Sequence, residues 1–69
     1  MIIELDSVGC VIDDMTFIVY PKYINGGYDE DGGISLDECS SEWYKALDSD
    51  DKFLIRHLLD IKKSRRIYY

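Results

Sequence analysis

Histidine, proline and tryptophan each occur once in this chain, and cysteine only twice. A single imidazole, His57, follows Arg56 on a polar stretch, where an exposed, solvated side chain is the expectation. No G-x-S-x-G, no H-E-x-x-H and no phosphate-cradling glycine loop is present. Zinc held by Cys10, Cys39 and His57 would lack a fourth ligand and the usual paired spacing. The sequence therefore reads as non-enzymatic, with no cofactor.

Long apolar runs are missing as well. Nothing approaches the roughly 20 residues of a membrane helix, so no membrane association is expected. The N-terminal M-I-I-E-L-D carries acids inside its apolar stretch and no basic leader, which argues against a signal peptide. Cys10 and Cys39 have no C-x-x-C spacing, and two reduced, buried thiols in a cytoplasmic protein is the reading that follows. Whether their backbones come close enough to be bridged is a question of tertiary structure.

Cations are scarce before residue 52. Residues 1–51 hold 13 acids against Lys22 and Lys45, a net −11. Residues 52–69 hold six basic residues against Asp60, a net +5, giving −6 overall. Such polarity can steer a partner toward either end. Direct nucleic-acid binding could use Lys62, Lys63, Arg65 and Arg66 with Tyr68 and Tyr69, but the acidic remainder would repel a phosphate backbone.

What is present suits one small folded domain. The chain is 46% hydrophobic and 13% aromatic, too apolar for a disordered segment of this charge. At about this size only about 60% of the unfolded surface is buried, so the core is thin. Met1–Asp6 and Cys10-Val11-Ile12 read as short strands, and Thr16–Tyr20 as the strongest one. Asp13-Asp14 is the expected hairpin turn between the last two. Pro21 limits that strand to an edge. Ile34-Ser35-Leu36 fits either a last short strand or the approach to a helix. Ser40 or Ser41 caps a short helix carrying Trp43, which is expected at the centre of the core. Asp48–Asp51 starts a longer helix, with Leu54, Leu58 and Ile61 on one stripe. The expected class is α+β: about three short antiparallel strands packed on a C-terminal helical hairpin. Its parts are strands over 1–24, an acidic glycine-rich loop over 25–39, helices over 40–48 and 49–64, and a basic and aromatic tail over 65–69.

The acidic loop nearly spells a calcium site. With Gly27 at the first position of an EF-hand loop, Asp29, Asp31, Ser35 and Glu38 fall at ligand positions and Gly32 at the turn position. Gly27 itself offers no side-chain oxygen, and the β-branched, Pro21-containing segment before it suits a strand rather than the required helix. Partner steering is the stronger reading of these carboxylates. The candidate binding residues are Asp29, Glu30, Asp31, Asp37, Glu38 and Glu42 for charge, with Phe53, Leu59 and Tyr68 for apolar anchoring. Together with Asp48, Asp50 and Asp51, the acids could alternatively copy the phosphates of a nucleic acid and occupy a DNA-binding protein. Phe53 and Leu59, outside the helical stripe, could instead support a homo-oligomer.

The segment V-Y-P at 19–21, a Gly/Asp-rich turn, and G-I-S-L-D-E-C-S-S-E-W-Y-K-A-L-D-S-D-D at 33–51 resemble small accessory proteins of tailed bacteriophages of marine cyanobacteria. In those proteins a V-Y-P-like strand precedes a G-I-x-L-x-D/E turn, an S-x-E-W helix and an L-S-D-x-D helix start. The match covers about half the chain. The family supplies no activity for any residue here. The resemblance implies a phage protein that acts in the host cytoplasm by binding a host protein.

Overall fold

Alternation along the first strands separates a core face from an outer face. The computed structural model describes residues 1–67. Strands β1 (Ile2–Leu5), β2 (Cys10–Asp13), β3 (Ile18–Pro21) and β4 (Ile34–Ser35) form one antiparallel meander in chain order. The register sets Ile3 opposite Ile12, Ile12 opposite Val19, and Val19 opposite Ile34. Cross-strand partners share a face, so this row, with Leu5 and Cys10, forms the core side. Leu5 and Ile12 are fully buried there, while Ile34, on the two-residue edge strand, is half exposed. There are thus four strands rather than three. The fourth was hard to read because two residues cannot display a period of two.

The hairpin turn is also longer than Asp13-Asp14. Asp13 pairs with Ile18, leaving Asp14–Phe17 as the connection. The Asp13 carboxylate accepts the Met15 N–H at 2.9 Å, and the Asp13 carbonyl accepts the Phe17 N–H at 2.8 Å. Aspartate thereby bends its own backbone and takes Thr16 and Phe17 out of the strand. Phe17 sits at φ 57°, a conformation that disfavours a bulky side chain, yet its ring is buried in the core. Its carbonyl accepts the Leu36 N–H at 2.9 Å, which ties the turn to the segment after β4.

Residues 22–28 fold over the outer face. Lys22 bridges to Tyr28, the Tyr20 and Tyr28 rings lie 5.2 Å apart, and Val11 is buried apart from the main core. The acidic segment is not an open loop. It holds a 3-10 turn at Glu30–Gly32, then β4, then a second 3-10 turn at Leu36–Glu38. Gly33 is required where the chain returns to the sheet, since a Cβ there would lie 2.7 Å from Ile18 and Tyr20 side-chain atoms.

Helix α1 spans Ser41–Ala46 and α2 spans Ser49–Ile67. Ser40 caps α1, its hydroxyl accepting the Trp43 N–H at 3.1 Å. Asp48 does the same for α2, accepting the Asp51 N–H at 2.9 Å. The helical hairpin expected from the sequence is not formed. With six residues, α1 has too little length to lie along the 19-residue α2; Arg56 of α2 donates to the Tyr44 hydroxyl of α1 at 3.0 Å, and residues of both helices join the shared core. The helical backbone of α2 reaches residue 67, into the stretch expected as a tail.

One cluster holds these parts together: Leu5, Ile12, Phe17, Val19, Leu36, Leu47, Ile55 and Leu58. Ile55 and Leu58 are buried on α2, with Leu54, Leu59 and Ile61 packed at their margins. Trp43 is half-buried against this cluster rather than at its centre, because its side chain also lines two surface hollows. Phe53, by contrast, is 78% exposed. Truncation of Ile55 to alanine is expected to cost about 2–5 kcal/mol in urea unfolding, whereas Phe53→Ala is expected to change stability by less than about 0.5 kcal/mol. Equal losses from the two substitutions would contradict this packing.

Candidate functional site: the grooves beside Trp43

The cap at Ser40 decides where the indole goes. By starting α1 at Ser41 it holds Trp43 between two hollows that share Cys39, Ser40 and Trp43 in their walls. The first, about 500 Å³, runs between α1 and α2 and is walled by Leu36, Tyr44, Ile55 and Leu59, with Asp37 and Lys45 among its polar lining. The second, about 340 Å³, lies between the sheet and α1, against Cys10, Val19, Pro21 and Ile34, with Gly32 and Glu38 completing it. Both are mainly apolar. Their volumes fall in the range of sites that take a side chain or small ligand.

Acids border this surface from two directions. Glu30 and Asp31 are exposed on the 3-10 turn that ends at Gly32, and that turn packs against β3. Glu38 lines the second hollow, and Glu42 is exposed in the first turn of α1, next to Trp43. The side chains of Glu30, Glu38 and Glu42 make no hydrogen bond or ion pair within the described residues. Other acids have folding roles. Asp29 accepts the Asp31 N–H at 3.1 Å, Asp51 accepts the Ser7 hydroxyl at 2.6 Å, and Asp37 holds Lys62 at 2.6 Å.

Lys62 is one of the cations that the sequence offers for nucleic-acid binding. Its ammonium instead reaches back to Asp37, to the Ser35 hydroxyl at 3.5 Å and to the Phe17 ring face, 5.9 Å from the centroid. It fastens α2 to β4 and the hairpin turn. Lys22 is similarly engaged, 3.0 Å from Asp6 and 3.7 Å from Glu4. The hydrogen bond to Asp6 raises its pKa, and the charges of Asp6 and Glu4 add to this. Neither lysine is available as a free cation.

The remaining sequence candidates are dispersed. Asp29, Asp31, Ser35 and Glu38, the calcium alternative, are divided among the first 3-10 turn, β4 and the second 3-10 turn. Among the described residues no three carboxylate, thiol or imidazole side chains converge on one point. Phe53 projects to solvent beside the exposed Arg56 and His57, while Leu59 packs on the core and lines the first hollow. These two therefore do not form a common apolar face. Tyr68 lies outside the described residues. A further depression of about 470 Å³ sits over Val11 on the outer face, bordered by Ile2, Tyr23 and the fully exposed Ile24. No helix among the described residues is long and apolar enough to cross a membrane.

Sequence reasoning did not find the second hollow. Cys10, Pro21, Ile34 and Trp43 come from four separate elements, and no local pattern announces their meeting. Burial pushes the Cys39 pKa up, with Cys10, Asp37 and Glu38 adding to the shift. The chain matches no protein-family model, no curated protein and no solved structure. Because burial favours the neutral thiol, Cys39 contributes stability fully below the unfolded-state pKa and loses it as pH rises through the higher folded value. A thiolate absorbance titration of Cys10→Ser is expected to show a more alkaline midpoint in the folded protein than in urea. Coincident midpoints would show that Cys39 is solvated.

Proposed function

We propose that this chain is a small non-enzymatic protein-binding module whose contact surface is the pair of hollows beside Trp43. The supporting observation is the juxtaposition of apolar walls on both sides of the indole with Glu30, Asp31, Glu38 and Glu42, which are exposed. Charge complementarity supports one kind of occupant. It is a short segment of a partner protein that inserts an aliphatic or aromatic side chain and carries lysine or arginine beside it. The acids accelerate the encounter and select against acidic partners, while the apolar walls supply the durable contact. The resemblance of residues 19–21 and 33–51 to cyanophage accessory proteins supports placing that partner in a host cytoplasm, where a phage protein of this size would modulate a host protein.

The test uses synthetic peptides with apolar anchors and basic flanks, against matched peptides with acidic flanks, followed by Trp43 emission. Trp43 is the sole tryptophan, so the signal reports the proposed surface directly. Binding of the basic series is expected to weaken as salt rises. The double reversal Glu38→Lys, Glu42→Lys is expected to weaken it about tenfold, mainly by slowing association. Equal binding of the acidic series, or no change in Trp43 emission with any basic peptide, would overturn the reading.

A further inference from the structure

Cys10 and Cys39 are 29 positions apart in sequence but line the same hollow. Cys10 stands on β2 between Leu5 of β1 and Pro21 of β3, on the face that carries the core. Cys39 follows the second 3-10 turn, whose Leu36 is buried in that core. Both thiols are free and half-buried. Each donates to a nearby backbone carbonyl, Cys10 to that of Val8 at 3.4 Å and Cys39 to that of Ser35 at 3.7 Å. Thiols are weak donors, so neither contact is a strong tether.

We propose that Cys10 and Cys39 are a modification site, an oxidisable pair that a low-molecular-weight disulfide converts into one intramolecular disulfide across the hollow beside Trp43. One protein thiolate attacks a sulfur of the small disulfide, forming a mixed disulfide and releasing one small thiolate. The second protein thiolate then attacks the protein sulfur of that mixed disulfide, forming the Cys10–Cys39 bond and releasing the other small thiolate. Two protein thiols are oxidised, and one small disulfide is reduced to two thiols. The two protons lost from the protein are taken up by the released thiolates. The raised pKa of Cys39 keeps it largely protonated at neutral pH, so the exchange quickens on the alkaline side.

The bond would join the sheet to the start of α1 and link the two sides of the hollow. This inference goes beyond the binding reading, and its readouts involve no partner. A disulfide needs Cα atoms within about 7 Å, a condition that oxidation of the intact chain reads directly.

The experiment treats the native full chain with glutathione disulfide, quenches with acid, and determines mass and free thiols. Wild type is expected to lose both thiols, lose the mass of two hydrogens, remain monomeric and retain no glutathione. Trp43 emission is expected to fall, since a disulfide beside an indole quenches it, and to return on reduction. Cys10→Ser and Cys39→Ser are each expected to stop at a retained glutathione adduct. Persistent adducts on wild type, cross-linked dimers as the main product, or two thiols that react only in urea would each overturn the proposal. A result against peptide binding would leave these thiol readouts unchanged.

Discussion

Everything in this fold depends on burying the Ile55–Leu58 face of α2 in the cluster that contains Leu5 and Ile12 of the sheet. A chain of 69 residues has little apolar surface to withdraw from water. Without that contact a small sheet with a two-residue edge strand would not stand alone. Leu36 and Leu47 belong to the same cluster, so both the acidic segment and the link between the helices are positioned by it. Placement of Trp43 is a consequence, since Ser40 begins α1 between those two buried leucines.

The large excess of acid is divided between two tasks. Asp13 and Asp29 shape turns, Asp48 caps α2, Asp37 grips Lys62, and Asp6 with Glu4 holds Lys22. Each of these carboxylates is near a backbone donor or cation that compensates its charge. Glu30, Glu38 and Glu42 are different, being exposed beside apolar walls without such a compensating group. A long-range field from these groups sums with that of the satisfied acids, and the cationic partner proposed for the surface beside Trp43 follows from it. Had all the acids been locally paired, charge would have carried no information about a partner.

Much of the architecture was legible because its causes are local. Alternation in Met1–Asp6 separated Leu5 from Glu4, β-branched residues marked β2 and β3, and the capping candidates Ser40 or Ser41 and Asp48–Asp51 marked two helix starts. The misread parts are those where short contacts override propensity. Asp13 bends the chain by accepting the Met15 N–H, turning an apparent strand residue, Phe17, into a buried turn residue. β4 exists because Ile34 and Ser35 meet β3, and α1 stops short of a hairpin because it has only six residues. Of the candidate site, the acids and Leu59 were visible in the sequence; their division into satisfied and exposed groups was not.

The sequence by itself determined the α+β class, the scarcity of histidine and cysteine, the acidic charge and the regions where the helices start. Each rests on composition or on residues within a few positions of one another. Only the tertiary structure decided that Trp43 stands between two hollows, that Lys62 is a clamp rather than a free cation, and that Cys10 and Cys39 share a wall. Those facts require residues from β2, β3, β4 and α2 to meet. Their meeting is set by which apolar faces can be buried together, a property of the whole chain that no short stretch carries.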